Sequence, residues 1–177
     1  MGKRLNFWPL AGFLTVSVLG TLAHFAYEWS GKQLLAGAFC AVNESTWEHM
    51  KLLFFPALLF TMIQIAAARE RDGAIPAVRA VSVTAGLLLI PVLYYTYTGI
   101  LGRHVLWADI AIFYLAVALT FRLDSCLRRR RRLWEPWQQA AGLLWLWGLA
   151  FLFVWWTFRP PHIGLFLDPA TGGYGIA

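Results

Sequence analysis

The sequence predicts an all-α polytopic membrane protein, a single domain of five transmembrane helices. Of its 177 residues, 59% are hydrophobic and only 14% are charged, which is too apolar for a soluble domain of this length. Five apolar stretches each approach the roughly 20 helical residues that cross a hydrocarbon core of about 30 Å. Ten Trp residues supply amphipathic rings of the kind that is enriched where a membrane meets water.

The five predicted spans follow one another with mostly short connections. The first comes directly after Lys3 and Arg4, and its apolar run is longer than that of a secretory signal peptide, so we expect it to be a retained helix. Pro56 and Pro91 lie inside the second and third spans, where a missing amide predicts kinks. The predicted spans are 7–27, 46–68, 78–97, 105–122 and 137–158.

Two connecting segments are longer and partly apolar. Residues 28–45 contain Leu34, Leu35 and Phe39, so we expect this loop to lie at the interface or to re-enter the membrane. After the last span, two prolines stop the helix, and residues 159–177 combine glycines with several apolar side chains. We predict that this terminal segment folds back as a short flap.

The distribution of basic residues predicts the orientation. Cytoplasmic loops carry an excess of Lys and Arg, which places the N-terminus in the cytoplasm and the C-terminus outside. The run Arg128–Arg132 is interpreted as an anchor for anionic lipid and not as a nucleic-acid site. Eleven of the fifteen basic residues fall on the predicted cytoplasmic side: Lys3, Arg4, Arg69, Arg71, Arg79, Arg122 and Arg128–Arg132.

Polar groups collect on the opposite, predicted extracytoplasmic side. Ionisable groups at membrane depth cost about 2.5–3.5 kcal/mol each, so they usually face a protein interior or an aqueous cavity. A shared outer pocket is therefore expected. The two cysteines, Cys40 and Cys126, fall on opposite sides and predict no disulfide. The outer group comprises all four histidines, His24, His49, His104 and His162, with Glu28, Glu44, Glu48, Asp109 and Asp168.

His24 and Glu28 are four residues apart and share one face of the first helix, next to Tyr27. A carboxylate and an imidazole at that spacing bind one metal ion or orient each other. The alternative is that both side chains simply reach the water layer at a helix end. The spacing does not decide between these readings.

The segment that opens the second span carries the densest group of polar residues. Ser45 and Glu48 match a capping box, in which their side chains satisfy free backbone amides. Lys51 shares a stripe with Glu48 and is expected to neutralise it. His49 lies on a neighbouring stripe and remains available to meet His24 across the helix pair.

Two further groups complete the predicted pocket. Asp109 lies within an apolar run and needs a partner, for which Arg103 and His104 are the candidates. The terminal flap is expected to bring His162 and Asp168 to the pocket.

The chain resembles a family of small bacterial polytopic membrane proteins known as a domain of unknown function. The resemblance rests on the run His24–Gly31 (His-x-x-Tyr-x-Trp-Ser-Gly), on Val42–His49 (Val-Asn-Glu-Ser-x-Trp-Glu-His), and on the ending Asp168–Gly172 with Tyr174. It covers nearly the whole chain and implies a bacterial inner-membrane location. It implies no activity.

Glu44, Ser45 and His49 also give a looser likeness to the alkaline ceramidase and lysoplasmalogenase superfamily of membrane hydrolases. In that superfamily Glu, Ser and several His surround a zinc ion among helices. The chain differs in having five predicted spans, not seven, and no His-x-x-x-His in its last helix.

These observations favour a zinc-dependent hydrolase that acts on a lipid or lipid-linked substrate at the extracytoplasmic face. Three protein ligands leave a fourth zinc position for water. We expect His24, His49 and His162 as ligands, with His104 or Asp168 as alternates. Glu48 or Glu44 is the expected general base, with Ser45 a further catalytic candidate. The expected surrounding residues are Tyr27, Glu28, Asn43, Trp47, Lys51, Arg103, Asp109 and Tyr174.

The main alternative is a non-enzymatic protein, either a small transporter or a partner subunit whose outer pocket binds an ion or small solute. A conduction path would need polar groups in the cytoplasmic half, where Thr61, Gln64 and Ser82 are the candidates. A redox subunit with axial histidines ranks last, since paired histidines near mid-membrane would be expected.

Overall fold

The computed structural model describes residues 2–67, 74–130 and 133–176, and all of its long elements are α-helices. Five of the helices are long and apolar enough to cross a membrane, which confirms the predicted all-α chain with five spans. The elements are α1 (Gly2–Trp29), α2 (Leu34–Phe39), α3 (Thr46–Ala67), α4 (Ile75–Leu101), α5 (Leu106–Arg129), α6 (Pro136–Phe158) and a short 3₁₀ turn, Gly164–Phe166.

The helices extend beyond the predicted spans where charged residues had suggested an end. α4 begins three residues before the predicted start, and α5 continues seven residues past Arg122. The extension of α5 is tolerated because its Asp124 pairs with Arg79 of α4 and with Arg128 of its own helix. Residue 68, the predicted end of the second span, lies outside the described residues.

The apolar loop 28–45 contains α2, a helix of six residues that the sequence did not predict as a separate element. Gly37 and Ala38 face inward, whereas Leu34 and Leu35 are exposed. Six residues are less than two helical turns, which is too short for a periodic pattern to be recognised.

α3 and α4 are the most buried spans, and α1, α5 and α6 lie around them. The core between the helices is built from large apolar side chains such as Leu53, Phe54 and Phe153. α3 and α4 continue as helices through Pro56 and Pro91. Many apolar side chains on the outer helices are exposed, as expected for surfaces in contact with lipid.

Because the spans alternate in direction, each end of the bundle gathers particular residues. We call one the histidine end; there α1 ends near His24 and α3 begins near His49. The other is the arginine end, where α3 ends and α4 begins near Arg79. Cys40 lies at the histidine end and Cys126 at the arginine end, and both are free thiols.

Two of the basic residues in the orientation count lie inside the predicted spans 46–68 and 78–97. Lys51 and Arg79 are fully buried in α3 and α4, and each is paired with a buried carboxylate. The orientation stays a prediction based on the distribution of basic residues.

Replacing Gly142 by Ala is expected to lower stability by about 1–3 kcal/mol, the usual cost of overpacking. A Cβ at Gly142 of α6 would lie 2.6 Å from Ala77 Cα and 2.7 Å from Ala77 N, so α4 and α6 would have to separate. Gly148→Ala in the same helix is the control, because its Cβ would meet no atom within 4 Å. Thermal unfolding in detergent should rank the two variants, and equal midpoints would contradict this packing.

Candidate metal centre

Three side chains from separate segments meet at the histidine end: His24, Glu44 and His49. One ligand atom from each lies within 4.8 Å of the other two. Glu44 lies between the imidazoles, with Oε1 3.9 Å from His24 Nε2 and Oε2 3.5 Å from His49 Nε2. The two rings are 5.3 Å apart between centroids. We refer to these three residues as the His–Glu–His cluster.

Each member of the cluster is positioned by a different element. His24 lies in the last two turns of α1, and His49 lies in the first turn of α3. The two helices approach closely just below the cluster because Gly20 has no side chain, and a Cβ there would collide with the backbone carbonyl of Leu52. Glu44 comes from the loop immediately before α3.

A backbone hydrogen bond fixes the tautomer of His49. Its Nδ1 lies 3.0 Å from the carbonyl oxygen of Ser45, which can only accept, so Nδ1 carries the proton and donates it. Nε2 is then the ring nitrogen that faces Glu44 and is left to bind a metal ion. Metal-bound histidines are usually held in this way, with the second ring nitrogen bonded to a carbonyl or carboxylate.

The geometry suits a zinc-like ion. Tetrahedral ligands at about 2.0–2.1 Å from zinc lie ~3.3 Å apart, so the observed separations require only small side-chain movements. Two imidazoles and one carboxylate leave the fourth position open, as in catalytic zinc sites. The three side chains are 30–52% exposed, which leaves that position accessible from outside the bundle.

Asn43 holds the loop that carries Glu44. Its Oδ1 accepts a hydrogen bond from Ser45 N at 2.9 Å, which forms a local turn around Glu44. Its Nδ2 donates to the carbonyl oxygen of Gly175 at 3.0 Å, which ties the same loop to the terminal segment. Asn43 therefore connects the flap to the candidate ligand Glu44.

Replacing Asn43 by Ala is expected to weaken zinc binding by about 10–100-fold, the usual effect of losing a residue that supports metal ligands. Zinc competition with a fluorescent chelator would measure the change in the purified protein. Gln33→Ala, which removes an exposed side-chain amide just before α2, serves as the control. Unchanged affinity in Asn43→Ala would show that the loop is held without this side chain.

Glu48 has a structural role that differs from the predicted general base. Its carboxylate accepts hydrogen bonds from Lys51 Nζ at 2.7 Å, from Thr157 Oγ1 at 2.9 Å and from Val42 N at 3.1 Å. Lys51 Nζ also donates to the carbonyl oxygen of Gly37 in α2. This buried group joins α2, α3 and α6, and it confirms that Lys51 neutralises Glu48.

The predicted capping box at the start of α3 forms only in part. Ser45 Oγ accepts a hydrogen bond from Glu48 N at 3.4 Å, as a cap does. The Glu48 carboxylate does not complete the box, because it is bonded to Lys51 and Thr157. Ser45 is almost fully buried, and Trp47 is packed between Phe153 and Phe166.

The terminal flap folds back onto the bundle, but its two predicted ligands make other contacts. His162 stacks on Tyr174 with the ring centroids 4.6 Å apart. Asp168 is buried within its own turn, where it accepts hydrogen bonds from Ala170 N and Thr171 Oγ1. The described contacts thus place neither side chain in the His–Glu–His cluster.

A second polar group at the histidine end contains Asp109. Tyr97 donates a hydrogen bond from its hydroxyl to Asp109, and His104 Nδ1 lies 3.5 Å from the same carboxylate. Of the two predicted partners for Asp109, the structure pairs it with His104 and leaves Arg103 on the exposed turn after α4. This group joins α4 to α5, and its contact with Asp109 explains why His104 lies outside the His–Glu–His cluster.

Tyr27 and Glu28 lie in the last turn of α1. Glu28 pairs with Lys32 at 3.5 Å on the exposed surface. Tyr27 is buried, and its ring lies close to Gly37 of α2. Both residues support the end of α1, one turn beyond His24.

The sequence reasoning missed a buried polar group at the arginine end. Arg79 Nε donates to Asp124 at 3.2 Å and Nη2 donates to Gln64 at 2.9 Å, while its guanidinium lies over the rings of Phe60 and Phe121. Arg128 also binds Asp124, so it is engaged within the protein. The predicted lipid contact of Arg128–Arg132 stays untested, since Arg131 and Arg132 lie outside the described residues.

Comparison with known proteins identifies the family to which the chain belongs. No curated protein and no solved structure matches the chain. A family model described as a family of unknown function, DUF6512, matches residues 2–176. Since the match spans nearly the whole chain, this five-span membrane protein belongs to the DUF6512 family.

Proposed function

We propose that the protein is a zinc-dependent membrane hydrolase that uses the His–Glu–His cluster to cleave a lipid or lipid-linked substrate. The observation that carries the proposal is the convergence of two imidazoles and one carboxylate, with the proton of His49 fixed on Nδ1. Such a donor set favours zinc over the hard cations that prefer oxygen ligands. The ligand set is His24, Glu44 and His49.

The position of the cluster supports a lipid substrate. It lies at one end of a bundle whose outer helices expose apolar surface, so its open side lies at the level where headgroups meet hydrocarbon. The distribution of basic residues favours the extracytoplasmic face of a bacterial inner membrane for this end. The substrate bond is thus an ester or amide close to a lipid headgroup.

The proposed reaction uses the His–Glu–His cluster, a zinc ion and water. A zinc ion in this ligand set would lower the pKa of a bound water to about 7 and supply hydroxide near neutral pH. With the ion held by His24, Glu44 and His49, the new C–O bond to the carbonyl carbon would replace the ester C–O or amide C–N bond, and the departing oxygen or nitrogen would take a proton from water. Glu44 acts as a ligand, and Glu48 remains in its ion pair with Lys51.

The proposal is tested by assaying purified protein in liposomes with fluorogenic ester and amide lipids. We expect zinc-dependent hydrolysis that stops on chelation and returns when zinc is supplied. Glu44→Gln should lose turnover, whereas Asp168→Asn, which alters a carboxylate of the flap, should keep it. Stoichiometric zinc without hydrolysis of either bond type would remove the hydrolase assignment.

Zinc binding without hydrolysis would favour the second candidate, a non-enzymatic protein that binds a metal ion or small solute at the His–Glu–His cluster. The observation in its favour is that Glu44 lies between the two imidazoles while Glu48 is paired with Lys51, so neither predicted base is free. The polar group around Arg79 does not form a conduction path with the cluster, since the core between them contains Leu53, Phe54 and Ala57.

A further inference from the structure

The loop that carries Glu44 has little support from its own backbone. Residues 41–44 make no backbone-to-backbone hydrogen bond within the described part of the chain. One support comes from α3, where the buried carboxylate of Glu48 accepts a hydrogen bond from Val42 N at 3.1 Å. The other is Asn43, whose amide joins the loop to the terminal flap. The position of Glu44 therefore depends on contacts that lie outside the loop.

Gly175 of the flap fits beside Asn43 because it has no side chain. Its backbone φ is +65°, a conformation that favours glycine. A Cβ would lie 2.8 Å from the Thr157 carbonyl oxygen at the end of α6 and 3.0 Å from the ring of Pro160. The backbone of Gly175 thus lies directly against the end of α6, and its carbonyl oxygen is held where Asn43 Nδ2 reaches it.

The rest of the flap is a folded turn that keeps Gly175 in this place. Asp168 N donates to the Gly173 carbonyl oxygen, and Gly172 N donates to the Asp168 carbonyl oxygen. Phe166 is buried against Trp47 of α3, with the ring centroids 4.8 Å apart. Because the turn is closed by its own hydrogen bonds and seated by Phe166, the flap docks on the bundle as one unit.

Asn43 transmits the position of the flap to the metal ligand, and the reverse. It directly precedes Glu44, and its Oδ1 accepts the hydrogen bond from Ser45 N, so one side-chain amide spans the ligand. If the flap leaves, Asn43 Nδ2 loses its acceptor and the turn around Glu44 loses its outside support. If a metal ion joins Glu44 to His24 and His49, the loop stays where the flap binds it. Two events that favour the same loop position favour each other.

We propose that docking of the terminal flap and binding of the metal ion are coupled, with the Asn43–Gly175 hydrogen bond as the link. The inference rests on the proposed function for the ligand set, and it does not depend on which bond the protein cleaves. Undocking of the flap lowers the affinity for the ion, and the bound ion keeps the flap docked. Gly175 is thus a positioning residue that acts on Glu44 through Asn43.

The first test compares the zinc affinity of Gly175→Ala with that of the unaltered full-length protein, by competition with a fluorescent chelator. The added methyl group should displace the flap from the end of α6. Zinc affinity should fall about 5–150-fold, the usual range for coupling between two sites, while zinc content at saturation stays at one ion per chain. Equal affinity in the two proteins would overturn the coupling.

Gly164→Ala is the matched control. It adds the same methyl group to the same flap, at a position where a Cβ would meet no atom within 4 Å. Its zinc affinity should equal that of the unaltered protein. A loss as large as that in Gly175→Ala would mean that the fit of Gly175 against α6 does not control the site, and would contradict the inference.

A double-mutant cycle shows whether the flap acts through Asn43. In Asn43→Ala the link is already broken, so adding Gly175→Ala should weaken zinc binding by no more than about twofold further. If the losses of the two single variants multiply in full, the flap and Asn43 act separately, and the proposed link is wrong.

Hydrogen exchange measured by mass spectrometry tests the reverse direction, from the ion to the flap. In the unaltered protein, saturating zinc should slow exchange in residues 168–176 and 41–45 and leave residues 133–136, at the arginine end, unchanged. This measurement needs no variant, so it decides the matter even if Gly175→Ala does not fold. Identical flap exchange in zinc-loaded and zinc-free protein would overturn the coupling.

Lipid hydrolysis is assayed on the same samples. Zinc binding that is coupled to the flap, without hydrolysis, would mean that the hydrolase assignment fails while the coupling stands. Zinc-dependent hydrolysis together with equal zinc affinity in Gly175→Ala and unchanged flap exchange would mean that the coupling fails while the proposed function stands.

Discussion

Replacing His49 by Ala is expected to reduce zinc content from one ion per chain to near zero and to weaken zinc affinity by more than about 100-fold. Loss of a residue that only supports a metal ligand weakens metal affinity ~10–100-fold, so loss of a ligand itself should weaken it further. His24→Ala should have a comparable effect, since the two imidazoles lie on either side of Glu44. Elemental analysis after equilibration with zinc measures the change.

His162→Ala provides the matched control, because it removes another imidazole from the same end of the bundle. His162 stacks on Tyr174 and makes no described contact with the cluster, so zinc content should be unaffected. Loss of zinc in His162→Ala would restore the ligand set expected from the sequence. Full zinc retention in both His24→Ala and His49→Ala would place the metal elsewhere.

Replacing Lys51 by Met is expected to lower the free energy of unfolding by about 3–5 kcal/mol, the usual cost of leaving a buried charge unpaired. Lys51 and Glu48 are 0% and 2% exposed, and Lys51 Nζ donates hydrogen bonds to Glu48, to Thr157 Oγ1 and to the Gly37 carbonyl oxygen. Thermal unfolding in detergent or chemical unfolding in mixed micelles would report the loss.

Two variants isolate the cause of this effect. Lys51→Met combined with Glu48→Gln removes both charges and should recover part of the lost stability. Lys32→Met removes the exposed partner of Glu28 and should change stability by less than about 1 kcal/mol. Equal destabilisation by Lys32→Met and Lys51→Met would contradict a special role for the buried pair.

The fold was predictable because spanning helices leave a direct signal in hydropathy. Span ends were less predictable: Asp124 fell outside the predicted fourth span, because the sequence does not show that it pairs with Arg79. Neither sequence position reveals that the two side chains pair in the interior, 45 residues apart. α2 was not predicted because six residues are too few to show the hydrophobic period of a helix.

The candidate site was predictable where helix periodicity applies. The phase of α3 separated His49 from the Glu48–Lys51 stripe, and the structure places His49 next to His24 as expected. Glu44 could be named but not given its role, because its position depends on the Asn43 turn. His104 and His162 lie on irregular segments, where no periodic pattern predicts the position of a side chain. His104 is held by Asp109, and His162 is held by Tyr174.

X-ray absorption at the zinc K-edge of the purified, zinc-equilibrated protein would identify the metal ligands themselves. We expect one zinc ion with two imidazole nitrogens at about 2.0–2.1 Å, one carboxylate and one further light ligand. His49→Ala should lose one imidazole from the spectrum or lose zinc altogether. A spectrum without imidazole scattering, or protein that stays free of zinc, would contradict the His–Glu–His cluster as a metal site.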